Sequence, residues 1–148
     1  MSEHRTSLTW SRNGGPFARG NYASDHEIRY SGGQTLHAAP SPEYGGSGAH
    51  ADPEQMLLSA LSSCHMLTFL AVAANRGYVV DSYVDDAVAM LGKNTEGKMA
   101  VIQATLAPKV VFSADRQPSA EDYAKMHERA HAGCFIANSV KATVDVRL

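Results

Sequence analysis

Residues 56–75 contain no Asp, Glu, Lys or Arg, and this run limits the possible folds more than any other feature of the chain. It is bracketed by helix signals. Asp52, Pro53, Glu54 and Gln55 give an N-cap carboxylate, a proline at the first helical position, and an acid and an amide for the orphan N–H groups. Arg76 and Gly77 supply the stop, a cation at the negative end and a glycine for the left-handed turn. The helix so bounded, about 24 residues, is roughly 36 Å long. Its apolar residues, among them Met56, Leu57, Leu61, Met66, Leu67, Phe69 and Leu70, go most of the way round it. Such a helix is expected to be covered on nearly all sides.

A run this long also meets the length criterion for crossing a bilayer. Ser59, Ser62, Ser63, His65 and Thr68 within it, caps at both ends and the lack of a second run favour a central core helix. A chain of 148 residues suits one domain, residues 1–148, and can bury a real core. A net charge of −2 gives no electrostatic case for nucleic acid or an anionic membrane. Residues 1–12 are polar apart from Trp10 and a leucine, so no secretory signal is expected and the location expected is cytoplasmic.

Before the helix the chain reads as an antiparallel meander. Residues 7–12 form a first strand, 22–30 a second and 34–38 a third, separated by Gly- and Asn-rich turns. Residues 39–51 make a loop rich in Pro, Gly and Ser, long enough to be either functional or a plain connector. After the helix, 78–91 and 99–112 read as two strands joined by the polar turn 92–98, with Pro108 at a bulge or edge. Residues 119–132 read as a second helix opened by Ser119 with Asp122 three places on and closed by Gly133; residues 141–148 alternate as a last strand. The expected order is βββ-α-ββ-α-β, an α+β fold.

Only two cysteines are present, Cys64 in the middle of the apolar helix and Cys134 just past Gly133. That is too few for a secreted disulfide scaffold, leaving inert core, metal binding or redox chemistry. A thiol in an apolar helix without help has a raised pKa and is inert. Cys134, at the junction of a helix end and a strand, is less easily explained by packing, and the two thiols could meet in space. A competing pattern is His127, His131 and Cys134 at i, i+4 and i+7, which with Cys64 or His65 would offer a tetrahedral zinc site.

Pro53-Glu54-Gln55 leading to Ser63-Cys64-His65, and Ala132-Gly133-Cys134 running into Ser139-Val140-Lys141-Ala142-Thr143-Val144, resemble the OsmC/Ohr family of osmotically induced and organic-hydroperoxide-resistance proteins. The resemblance covers the chain from its first strands to its end. It implies an intertwined homodimer with sites at the subunit interface, and cysteine-based reduction of organic hydroperoxides without metal or organic cofactor. By motif, Cys64 matches the peroxidatic cysteine, Cys134 the resolving one, and Glu54 a glutamate that pairs with an arginine near the thiol. Arg12, Arg19 and Arg29 are the arginines available in the N-terminal hairpin, and Arg19 lies nearest the position used by the hydroperoxide-resistance branch. Phe135 replaces the usual proline after the second cysteine, and His65 a common aromatic after the first. An external dithiol, lipoyl-like in the hydroperoxide-resistance branch, is the implied reductant. The readings open at this level are a thiol peroxidase, a dimeric binding protein of the same fold without peroxidase activity, and a zinc protein.

Overall fold

The structure, a computed structural model, describes residues 1–148. The backbone falls into two compact units, residues 1–56 and 57–148. In the first, β1 (Thr6–Thr9), β2 (His26–Tyr30) and β3 (Thr35–Ala38) form an antiparallel sheet in that order. Leu8 faces Ile28 and Ile28 faces Leu36, so the register lines up the branched residues. The second strand starts later than residue 22. Ala18 and Asn21 exchange backbone hydrogen bonds of 3.1 and 2.9 Å around Gly20, whose φ of +72° suits glycine, and this turn occupies the chain instead. Trp10, just beyond β1, donates its indole N–H to the Ala23 carbonyl at 2.8 Å.

The loop 39–51 holds one 3₁₀ turn, Pro42–Tyr44. Its ends meet, with the Ala39 N–H donating to the Ala51 carbonyl at 3.1 Å. Helix α1 runs Pro53–Asn75. Asp52 Oδ1 accepts from the Gln55 N–H at 2.7 Å while Gln55 Oε1 accepts from the Asp52 N–H at 3.2 Å, a reciprocal cap. At the other end Gly77, at φ +75°, donates to the Ala74 carbonyl at 2.9 Å, and Tyr78 returns its N–H to Ala73 at 3.0 Å.

In the second unit each expected long strand is broken in two. β4 (Val80–Asp85) pairs with β7 (Pro108–Phe112), and β5 (Val88–Lys93) pairs with β6 (Met99–Leu106). The cause lies in the sequence: Asp85-Asp86 faces the Ala107-Pro108 step, where proline has no N–H for a continuous ladder. Helix α2 spans Ala120–Gly133, its N-cap Ser119 accepting from the Asp122 N–H at 3.1 Å. The last strand, β8, is confined to Thr143–Val146 and runs parallel to β6. The core gathers Phe69 and Ala73 of α1, Tyr78, Phe112, and Met126 and Ala130 of α2.

Helix α1 forms where expected, but its cover within one chain is narrower than its composition suggests. Leu61, His65, Phe69 and Ala73, four residues apart, make one buried stripe. Leu67 on another face stays 61 % exposed. The strands and the single further helix of the second unit leave the other faces of α1 uncovered within one chain. The helix is also long and apolar enough to cross a membrane, yet its buried stripe packs on protein.

Candidate functional site

The site is built where the end of α2 meets the middle of α1. On α1, Cys64 is half-buried, and Thr68 one turn later donates its hydroxyl back to the Cys64 carbonyl at 2.8 Å. On α2, Gly133 allows the close approach: a Cβ there would stand 3.1 Å from Thr68 Cγ2. Cys134 then caps α2, donating its N–H to the His131 carbonyl at 3.2 Å, and is fully buried.

The chain turns sharply after Cys134 and closes on itself. Asn138 N–H donates to the Cys134 carbonyl at 3.1 Å, the Ser139 hydroxyl to the Phe135 carbonyl at 2.7 Å, and the Asn138 side-chain amide to the Ala132 carbonyl at 3.1 Å. The Ala137 N–H reaches the Cys134 sulfur at 3.4 Å. These bonds fix the turn, so its amides are held beside the sulfurs without further ordering cost.

The two thiols, seventy positions apart in sequence, are both free, and each shifts the other's ionisation. Their environments separate them. Burial pushes the Cys64 thiol up, but the bond from Cys134, the amides of Ile136 and Phe135 and the Thr68 hydroxyl outweigh it, so its pKa lies below the ordinary value. Burial pushes Cys134 up, and donating to Cys64 pushes it further, with the Ala137 amide opposing. The less buried thiol, Cys64, is thus shifted down and the buried one, Cys134, up. This is the division of labour a nucleophile and a second thiol need.

Beneath the thiols lies a feature that sequence spacing did not reveal. His65 Nε2 and His127 Nδ1 are 3.0 Å apart and both rings are buried, with Phe69 stacked 4.2 Å from His127. Burial lowers both pKa values to about 4, with His131 adding to the effect on His65 and His65 to that on His127. Both are neutral at pH 7, one ring donating to the other. His127 is thereby turned toward His65 rather than toward Cys134. No group of three or more His, Cys, Asp or Glu side chains is placed to hold a metal ion. The zinc arrangement suggested by the His127, His131, Cys134 spacing is not assembled: helix α2 ends at Gly133, before Cys134, and His127 bonds His65.

The remaining expected residues lie in the first unit. Glu54 is the second residue of α1, half-buried in the first turn. Of the three arginines, Arg12 donates to the Gly15 carbonyl at 2.7 Å and Arg29 pairs with Glu27 at 3.3 Å. Arg19 is exposed, on the Ala18–Asn21 turn.

An α+β chain that brings a thiol of lowered pKa against a buried second thiol at a helix end defines a class of cysteine-centred folds. The sequence profile of the OsmC-like proteins matches residues 46–148, and the chain belongs to that family. An OsmC-like protein of unknown function from Vibrio cholerae is 43 % identical over 99 % of both chains, with a TM-score of 0.95. The fold also matches an organic hydroperoxide resistance protein from Elizabethkingia anophelis, at a TM-score of 0.73, 15 % identity and coverage of 100 % of this chain and 94 % of that one. A third match is the organic hydroperoxide resistance protein OhrB of Bacillus subtilis, at a TM-score of 0.68, 17 % identity and coverage of 99 % and 96 %. No curated protein matches the chain in sequence.

Proposed function

We propose that this protein is a thiol-dependent hydroperoxide reductase acting on organic hydroperoxides, with Cys64 as nucleophile and Cys134 as resolving thiol. The observation that carries the reading is the meeting of α1 at Cys64 and Thr68 with the end of α2 at Gly133 and Cys134, which brings two free thiols of unequal burial to one place. The Cys64 thiolate attacks the terminal peroxide oxygen, the O–O bond breaks, and a Cys64 sulfenic acid forms. The departing alkoxide takes a proton from Cys134, which gives the alcohol. The Cys134 thiolate then attacks the Cys64 sulfur and displaces hydroxide, leaving a disulfide before further oxidation. A dithiol, for which a lipoyl group is the candidate, reopens the disulfide by exchange and is itself oxidised.

Arg19 fits the role of the cation that steadies the thiolate and polarises the peroxide, since Arg12 and Arg29 already have partners. Glu54 would hold that arginine, and the exposed apolar faces of α1 and of the sheets favour a homodimer in which it does so. Relatives of this fold named for organic hydroperoxide resistance support the substrate class. The test is titration of free thiols after adding tert-butyl hydroperoxide or hydrogen peroxide to the reduced protein. Loss of two thiols per chain with one peroxide consumed is expected. Retention of both would favour a dimeric binding protein of the same fold.

A further inference from the structure

Helix α1 carries one polar contact that neither the thiol pair nor the histidine pair uses. The Ser62 hydroxyl donates to Oδ2 of Asp85, and Oδ1 of the same carboxylate accepts the Ala107 N–H at 2.7 Å. Asp85 is the last residue of β4 and stands opposite Pro108, which has no N–H to give. Ala107 falls between β6 and β7, outside both ladders, so its donor would otherwise be left over at the break. The carboxylate satisfies it and, from that fixed point, reaches up to the helix. Bonds to an ionised acceptor are roughly twice as strong as neutral ones, which makes this a firm anchor.

The place of the anchor matters. Ser62 precedes Cys64 by two residues, so the two side chains lie about 200° apart round the helix and about 3 Å apart along it. A bond at Ser62 fixes the rotation and the height of α1 against the broken hairpin, while Cys64 looks the opposite way, toward the turn after α2. That turn is closed by its own bonds, so it keeps its own shape if the helix slips. The contacts that favour the Cys64 thiolate come from that turn and are short-ranged, so a shift of about one residue rise, 1.5 Å, would lose them.

The geometry points to Asp85 as a positioning residue for Cys64: through Ser62 it holds α1 at the rotation and height at which the face carrying Cys64 and Thr68 meets the end of α2. This deepens the peroxidase reading, but its primary readout, thiol ionisation, does not depend on peroxide chemistry. The other titratable groups that sense Asp85 are the buried ring of His65 and the phenol of Tyr83. Burial and the carboxylate together keep the phenol neutral, whereas at the imidazole the carboxylate opposes burial without overcoming it.

The experiment measures the rate of iodoacetamide alkylation at Cys64 against pH, located by peptide mass spectrometry, in Ser62→Ala, Asp85→Ala, Asp85→Asn and the double alanine variant. Ser62→Ala and Asp85→Ala are expected to raise the alkylation midpoint and slow the reaction at pH 7 by about three- to tenfold. The double variant should be no worse than the worse single one, since both break one link. Asp85→Asn keeps an acceptor for Ala107 and a partner for Ser62, and should recover most of the rate. If Asp85→Ala does not fold, Ser62→Ala alone decides. An unmoved midpoint in folded Ser62→Ala overturns the inference, as does a lowered Tm across the set with the pH profile unchanged. A wild-type protein that keeps its thiols under tert-butyl hydroperoxide would sink the peroxidase reading, and the positioning role of Asp85 would still be decided by alkylation.

Discussion

A cysteine in the middle of an apolar helix starts with a handicap, because burial disfavours the thiolate. Here the handicap is offset from outside the helix, by Cys134 and by two backbone amides of the turn that follows it. At Cys134 burial and the neighbouring Cys64 together outweigh the Ala137 and Ile136 amides, and its pKa is raised. Their replacements should therefore behave differently. Cys64→Ser is expected to abolish hydroperoxide reduction, while Cys134→Ser allows one oxidation of Cys64 and then stalls, which a single-turnover assay with sulfenate trapping would show. Equal residual turnover in the two variants would contradict the roles. On the role proposed for Arg19, Arg19→Ala is expected to slow oxidation of Cys64 by about tenfold or more. A shift of the alkylation pH profile in Arg12→Ala or Arg29→Ala, with none in Arg19→Ala, would move that role to the other arginine.

At the scale of elements, the closest constraint is the contact between the end of α2 and the turn of α1 that carries Thr68. Alanine at 133 would gain about 0.5–1 kcal/mol of helix propensity. It would also press a methyl 3.1 Å from Thr68 Cγ2. Gly133→Ala is thus expected to change Tm little but to slow disulfide formation, because the helix end and Cys134 must back away from Cys64. Thr68→Ser removes the offending methyl and keeps the hydroxyl bond, so the double variant should regain the rate; a rate still depressed there would show that the contact is not the cause. The buried histidines add a pH effect. Their pKa of about 4 lies below the 6.5 of the unfolded chain, so between those values the unfolded state binds protons the native state refuses. Stability should fall as pH drops from 6.5 toward 4, by up to about two protons' worth of slope. Urea midpoints across that range check this, and a flat profile would mean the pair is protonated in the native state. Legibility in the sequence followed the same physics. The caps at Asp52, Gly77 and Ser119 are local and were readable, as were the two helices they bound. Pro108 marked an irregularity in its strand, but that Asp85 faces it depends on pairing across a hairpin; likewise His65 and His127 were read as ligands of one site, and their direct bond joins positions sixty-two apart, which local spacing does not show.

At the scale of the molecule, the unanswered surface is apolar. Leu67 on α1, Val88 and Met90 on β5, Ile102 on β6 and Val111 on β7 are all at least 40 % exposed. Sheets and a helix this bare on one side call for another protein surface, and a symmetric dimer is the simplest supplier. The expected dimer should bury well over about 1,200 Å² in total and be seen by sedimentation at micromolar concentration. Helix geometry makes a composite site the expectation for such a dimer. Glu54 and Cys64 are ten residues apart on α1, hence about 15 Å along the axis and about 80° apart in direction. A carboxylate there does not easily reach the thiol of its own helix, even through one arginine, so if Glu54 orients an arginine beside a thiol, the thiol expected is that of the partner subunit. Two inactive proteins test this. Glu54→Ala lacks the carboxylate and Cys64→Ser lacks the nucleophile, so each homodimer should be inactive or nearly so. After subunit exchange, each heterodimer would hold one site with an intact Glu54 from one subunit and an intact Cys64 from the other, and about half the wild-type activity per heterodimer should return. No recovery despite exchange proven by mass spectrometry, or full activity from a stable monomer, would rule the composite site out.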